Sequence, residues 1–531
     1  MTSFTGTWTL IRFILRRDRI RLPIWILSIA GFFTLVAASF PSIYPTERER
    51  QARATLMENP TAMAFRGPGH GLDDYTYGAI LAHELMGFGM IAAALMSIFL
   101  IVRHTRVEEE SGRLELVRSS IVGRYASPAS ALTVVLCANL AVSGLFVLLL
   151  PVMPGDYSLA GSLAFGLAVG GSGFVFAVIA TVTAQLSEYG RGASSMAVLI
   201  LGATYLLRAI GDVQENALSW LSPFGWGQAS RAFVDERWFP LVIPVVVAGV
   251  LLTASALLIN RRDVAAGLLP QKPGPANASD ALLRPLGFAL RLQRGGIIGW
   301  TIGLGVVGVA FGALIGDVEA FLDDNPQLED FLAASGGSLV EAFLGLLVMV
   351  MAFMAAGFAV ASALRPRGEE FEGRAEPVLS TALSRSGWLS SYLIVSLLGS
   401  AVILLAGAGA LGVVAAADLR DLGLLVGALG AALAYIPAVW LLVGLVALLF
   451  GYGPRLLAIP WIVLVYGVFI GLFGDMLEVP GWAKAVSPFD HVPELPGGSV
   501  EPWSIAIMLA IGMLLIGLGL YSFRHRDLEM S

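Results

Sequence analysis

Apolar runs of about twenty residues recur along this 531-residue chain. Each is long enough for a helix to cross the hydrocarbon core of a bilayer. In lipid a spanning backbone must satisfy its own polar groups, and runs of this length do so as helices. The runs in the first half fall at about 23–43, 78–102, 128–152, 159–185, 192–211 and 239–259. Those in the second half fall at about 297–316, 339–363, 390–416, 423–450, 456–473 and 503–522. Charged residues make up only 14% of the chain, against about 25% in a soluble domain. The expected fold is an all-α integral membrane protein with about twelve transmembrane helices. The single cysteine, Cys137, reads as a small buried hydrophobe and permits no intrachain disulfide.

The two halves repeat. Glu108-Glu109-Glu110-Ser111-Gly112-Arg113-Leu114-Glu115-Leu116-Val117-Arg118-Ser119 recurs as Glu369-Glu370-Phe371-Glu372-Gly373-Arg374-Ala375-Glu376-Pro377-Val378-Leu379-Ser380, at a constant offset of 261 residues. Phe13, Arg16, Arg19 and Trp25 recur as Phe288, Arg291, Arg294 and Trp300 at offset 275. Ser222-Pro223-Phe224 recurs as Ser487-Pro488-Phe489 and Trp238 as Trp503, both at offset 265. The fall from 275 to 261 shortens the loop after the first span in the second half. Residues 1–263 and 286–531 form the two expected repeats, joined by a proline-bearing linker at 264–285. An even number of spans per repeat makes the repeats parallel.

Arginine position orients the chain. The N-terminal segment, the 103–124 and 365–385 loops, the 261–294 segment and the C-terminal Arg524-His525-Arg526 are basic, so both termini and both copies of the motif are expected in the cytoplasm. The 44–77 loop, with Arg48, Arg50, Arg53 and Arg66, runs against this assignment. The stretches 8–22 and 283–295 mix apolar residues with arginine and read as interfacial amphipathic helices.

Within each motif the leading acids suit a helix N-terminus. At i,i+4 spacing Arg113 is placed to pair with Glu109, and Arg374 with Glu370. Recurrence of Gly-Arg-x-Glu-x-Val-x-Ser at matching places points to a protein-docking element. No histidine stands at ligand spacing with the acids, and His104 reads as a lone loop residue, so no metal site is expected.

Two six-span halves, each with an interfacial helix and a Glu-Glu-x-x-Gly-Arg-x-Glu segment after its second span, resemble the ATP-binding-cassette type 2 permeases. In particular the chain is similar to the fused, double-length actinobacterial permeases that export polyketide antibiotics such as tetronasin. The resemblance implies that 105–124 and 366–388 are coupling helices docking on two copies of a cytosolic ATP-binding subunit. Their docking residues would be Glu108, Glu109, Gly112, Arg113, Glu115, Arg118, Glu369, Glu370, Gly373, Arg374 and Glu376. It implies a multi-pass plasma-membrane permease exporting hydrophobic small molecules, with ATP and Mg held by the partner. No cofactor in this chain and no nucleic-acid partner are expected. The second motif departs from the first at Pro377 and at Leu379, which replaces Arg118, so its helix is expected to break or dock differently.

A P-loop needs a lysine that reaches the terminal phosphates. The only lysines, Lys272 and Lys484, lie in Leu-Pro-Gln-Lys-Pro and Trp-Ala-Lys-Ala, so ATP hydrolysis is expected in another chain. The family's substrate path runs along the second and fifth spans of each half. That selects Met86, Phe88, Met90, Tyr205, Phe343, Met349, Phe353, Trp461 and Tyr466, whose flexible or flat side chains repack around varied ligands. Charges in spans are rare. Glu84 and Arg208 are placed to neutralise each other at an outer gate, with Glu341 opening the eighth span. An ion-coupled secondary transporter also has six plus six spans, but it would place acids mid-membrane. A membrane enzyme would cluster its acids or histidines, and the five histidines here are scattered. Replacing Glu115 and Glu376 with glutamine is expected to weaken association with an ATPase subunit, read by co-purification, while membrane insertion is unchanged.

Overall fold

The computed structural model describes residues 3–55, 57, 60–112, 122–261, 267–268, 277–323, 339–453, 456–473, 479–493, 495 and 502–527. Among these residues eleven helices are long and apolar enough to cross a membrane. They are Arg21–Ile43, Tyr77–Glu110, Ala126–Val152, Leu159–Leu186, Gly190–Val213, Phe239–Asn260, Pro285–Ala313, Val340–Phe371, Arg385–Leu419, Leu422–Tyr452 and Trp503–His525. A shorter apolar helix, Ile459–Leu472, falls on the expected eleventh span. The protein is thus an all-α integral membrane protein of about twelve spans.

Contacts divide the chain into two compact units, Met1–Pro273 and Gly274–Ser531. In the first unit the fourth span packs on the second, third, fifth and sixth, and the first span packs on the third. In the second unit the tenth span packs on the eighth, ninth and twelfth, and the seventh packs on the ninth. The repeated sequence therefore carries a repeated packing pattern. Small residues make the close approaches possible. A Cβ placed on Gly170 would lie 2.2 Å from Ser143 Oγ and 2.9 Å from the Asn139 carbonyl oxygen. A Cβ on Gly451 would lie 2.4 Å from the Gly519 carbonyl oxygen. At the first of these crossings Ser143 donates to the Gly166 carbonyl at 2.6 Å, and Asn139 donates to Ser97 Oγ at 2.9 Å. Ser143 and Asn139, buried among apolar helices, thus find partners on neighbouring spans.

The two N-terminal amphipathic segments differ. The first is a separate helix, Thr7–Arg17, which buries Ile11 and Ile14 and leaves Trp8 and Phe13 exposed. It ends in a turn at Asp18, a fully buried carboxylate that bonds His104 at 2.6 Å with Arg103 at 3.6 Å. His104, expected to be a lone loop residue, is therefore a buried partner at the end of the second span. The second segment is not a separate helix: it runs unbroken into its span within Pro285–Asp323. At offset 275 the counterpart of Asp18 is Gln293, which accepts from Ser362 Oγ at 2.5 Å inside the continuous helix. A neutral amide is bonded by a neighbouring hydroxyl, whereas a carboxylate draws a chain turn, a histidine and an arginine around itself. Cys137 is exposed on the third span rather than buried. Half of the expected linker, residues 264–266 and 269–276, lies outside the described residues.

Gly170→Val is expected to lower stability by about 1–3 kcal/mol through overpacking. Gly305→Val, where nothing lies within 4 Å of the added Cβ, serves as the control. Thermal unfolding of the detergent-solubilised chain is the readout, and equal shifts for both variants contradict the close-packing account.

Candidate functional site

The repeated motif begins as a short helix in each unit, Arg106–Glu110 and Arg365–Phe371. Each is followed by a glycine in the left-handed region, Gly112 at φ +72° and Gly373 at φ +70°. Side chains rarely tolerate that conformation, and glycine tolerates it freely. The N–H of Gly112 donates to the Glu109 carbonyl at 3.1 Å, and that of Gly373 to the Glu370 carbonyl at 3.0 Å. The repeated glycine is thus a repeated helix stop. Pro377 does not break the second motif: it is the third residue of Ala375–Leu379, where no intrahelical N–H bond is required. Arg113, Glu115 and Arg118 lie outside the described residues.

The acids of the motif divide into an inward and an outward set. Glu109 pairs at 2.6 Å with Arg106, which is 1% exposed and also donates to the Glu188 carbonyl at 2.8 Å. Glu110 accepts from the N–H of Gly190 at 2.9 Å, at the first residue of the fifth span. Negative charge there complements the helix dipole. Glu108 pairs with Arg17 at the end of the amphipathic helix. In the second unit Glu370, 2% exposed, pairs with Arg526 at the end of the twelfth span and with Arg367 at 3.7 Å. Arg526 also donates to the Phe450 carbonyl at 3.1 Å and lies over the Phe450 and Phe523 rings. The expected Arg374–Glu370 pair is replaced: Arg374 bonds Glu369 at 2.7 Å and also pairs with Glu372. The reason is burial, since Glu370 turns into the helix bundle while Arg374 stays half exposed in the solvent-facing turn. Gly373, Glu376, Glu372 and Arg374 are exposed. Beside them opens a groove of about 330 Å³ lined in part by Pro377, Val378, Phe288 and Trp388.

A second polar cluster lies about 36 Å away along the second span, taking 24 residues from Glu108 to Glu84 at about 1.5 Å rise each. Here the helix makes a π turn at Leu81–Leu85, a local widening that re-aims side chains. The expected Glu84–Arg208 pair does not form. Glu84 is held in bidentate fashion by Arg53, at 3.0 Å from both nitrogens, with Arg66 at 3.7 Å. Arg208 is fully buried and pairs with Asp212 at 3.3 Å. Its guanidinium also donates to the carbonyls of Met63, Ala64 and Phe65. These carbonyls end the helix Pro60–Arg66, and the other groups around them complete the clasp. Tyr205 donates to the Phe65 carbonyl, Gln228 to the Arg66 carbonyl at 2.5 Å, and His83 to the Gly67 carbonyl at 3.2 Å. His83 Nε2 is therefore protonated, and Nδ1 accepts from Tyr75 at 2.9 Å. The arginines of the 44–77 loop thus neutralise a carboxylate on a span and tie the loop down. Nearby, burial and the Arg231 guanidinium push His70 down to about 4, so it is neutral at pH 7.

Within each unit the selected path residues differ in exposure. Met86 and Met90 are buried, and Met90 Sδ accepts from Ser172 at 3.1 Å. Phe88 and Trp461 are exposed. Tyr466 donates to the Ala483 carbonyl at 2.7 Å. Phe353 stacks edge-on against Phe489, with centroids 4.8 Å apart, and Met349 and Phe353 close on Gly471. Phe343 and Glu341 are half buried, Glu341 in the first turn of the eighth span. Both Ser-Pro-Phe segments start short helices, Ser222 and Ser487 accepting from the N–H of Phe224 and Phe489. Sequence reading missed Arg53, Arg66, Arg106, Asp212 and Arg526 as partners. The excess of arginine in a loop expected to lack it was the available signal.

Glu84→Gln leaves Arg53 and Arg66 without their carboxylate and is expected to cost about 2 kcal/mol, given the partial burial of the pair. Arg53→Gln in the same background should then add little, because the pair is already broken. Additive losses in a double-mutant cycle read by thermal unfolding contradict the clasp.

Comparison with known proteins agrees with this architecture. Residues 282–524 match the model of the C-terminal domain of the multidrug efflux system permease Rv1217c. The chain is 38% identical over 533 residues to the multidrug efflux system permease protein Rv1217c of Mycobacterium tuberculosis (strain ATCC 25618 / H37Rv), covering 99% of this chain and 96% of that protein. At that identity and coverage, the chain belongs to the Rv1217c family of multidrug efflux permeases.

Proposed function

We propose that the chain is the membrane-spanning permease subunit of an ATP-driven exporter. Its cargo is hydrophobic drugs or lipid-like compounds, carried out across the plasma membrane. Two copies of a separate cytosolic ATP-binding subunit, each holding ATP and Mg, dock on the two motifs, with both chain termini on that side. The multidrug efflux described for the Mycobacterium tuberculosis relative supports the cargo class. A narrower cargo of polyketide antibiotics has no support from that description.

The observation that carries the reading is the division of labour inside the second motif, with the same inward grip in the described part of the first. Glu109, through Arg106 and the Glu188 carbonyl, and Glu110 anchor the first motif at the start of the fifth span, and Glu370 anchors the second at the end of the twelfth. Glu372, Arg374 and Glu376 remain exposed beside an open groove. A short helix gripped from within and presenting charge outward transmits a push from a bound subunit to the spans it holds. The glycine stop keeps each lever one to two turns long.

Reconstitution into proteoliposomes tests this. Efflux of a fluorescent hydrophobic drug is expected only with the ATP-binding subunit and ATP present. The double variant Glu372→Gln/Arg374→Gln should weaken subunit association about tenfold, equivalent to about 1.4 kcal/mol. Drug movement by the chain alone on an ion gradient contradicts the proposal and favours a secondary transporter.

A further inference from the structure

At the clasp end of the first unit a cleft of about 590 Å³ opens between the segment following the fifth span and the segment preceding the sixth. Its volume falls within the range of small-ligand sites. Four features distinguish it from a gap between helices. The first is its charge. Arg231 and Arg237 come from one segment, Glu215 from the other. The two arginines share a single carboxylate, Asp235, at 3.0 and 3.4 Å, which leaves one positive charge uncompensated. Glu215 is exposed and makes no ion pair among the described residues. Asp212, the other acid of the lining, is committed to Arg208 and to the Ser219 hydroxyl at 2.5 Å.

The second is backbone strain. Glu215 and Arg231 adopt φ of +50° and +49°, a region that non-glycine residues rarely enter and that concentrates at ligand-binding positions. Both carry charge into the same cleft. The third is the rim. Trp220, Trp238 and Phe239 line the cleft and are 47%, 45% and 72% exposed. Aromatic side chains left exposed where a span ends mark the headgroup level of a bilayer. The fourth is asymmetry. At the repeat offset of 265, which carries Trp238 to Trp503, Arg231 and Arg237 become Pro496 and Pro502. The charges belong to the first repeat alone, so they are not part of the duplicated packing.

From this we propose that the cleft binds the headgroup of a zwitterionic phospholipid. The phosphate is held by Arg231 and Arg237, whose guanidinium groups suit bidentate phosphate binding. The ammonium meets Glu215, and the acyl chains leave over Trp238 and Phe239 into the bilayer. Binding here does not depend on whether transport is ATP-driven.

Native mass spectrometry of the purified full chain in detergent tests the site. The probes are dioctanoyl phosphatidylethanolamine, dioctanoyl phosphatidylglycerol and glycerophosphoethanolamine. The ethanolamine lipid should bind at least fivefold more tightly than the glycerol lipid, and the tailless headgroup weakly. Glu215→Gln should abolish the preference between the two lipids. Arg237→Gln, at a side chain already half exposed and so no threat to folding, should weaken both about fivefold. Equal affinity for the two lipids in the unmodified chain overturns the proposal, as does binding unchanged in Arg237→Gln.

Discussion

The structure depends on neutralising charge where apolar helices end. A carboxylate or guanidinium left unpaired at such a place loses water and gains nothing. Asp18 with Arg103, Glu109 with Arg106, Glu370 with Arg526, Glu84 with Arg53, and Arg208 with Asp212 are each such a solution. In each case the partner lies within the same unit. Each pair also fixes something other than charge: a turn before the first span, the seat of a motif helix, or the path of a loop. Between the ends the spans need no charge and pack through small residues and a few buried hydroxyls and amides.

This arrangement explains how a duplicated chain becomes unequal. Both motifs keep the same helix stop at Gly112 and Gly373, and in both a glutamate turned inward pairs with an arginine. The partner differs: Arg106 lies within the first motif's own helix, whereas Arg526 comes from the end of the last span. At the opposite end the first unit has a clasp of arginines and backbone carbonyls. At offset 261 the counterparts of His83 and Glu84 are Leu344 and Gly345, so the second repeat has no such clasp residues. The two repeats keep the motif end alike and differ at the other.

Much of the fold was legible in the sequence. Apolar length alone locates the spans, because a helix crossing lipid has no alternative partner for its backbone. Ser222-Pro223-Phe224 announces its helix start through a cap and a proline at the first turn. Side-chain pairing was less legible. The i,i+4 rule proposed Arg374 with Glu370, but Glu370 faces inward to an arginine 156 residues away. Glu84 and Arg208 were matched because both are charges in spans, whereas each instead meets residues of the 44–77 loop. Cys137 was expected to be buried and is exposed, because in a membrane protein the outward face of a span is as apolar as its core.

By itself the sequence determined the class of the protein, the number and order of its spans, their duplication, and the positions of the motif glycines. These follow from local properties: the apolar length of a run, the spacing of a repeat, and the conformational freedom of glycine. Only the tertiary structure decided which charges meet, which glutamates of each motif face inward, and that loop arginines close one end of the first unit. The long-range pairings, those of Asp18, Glu84 and Glu370, join residues tens to more than a hundred positions apart, and their choice follows from which faces of packed helices are turned toward one another.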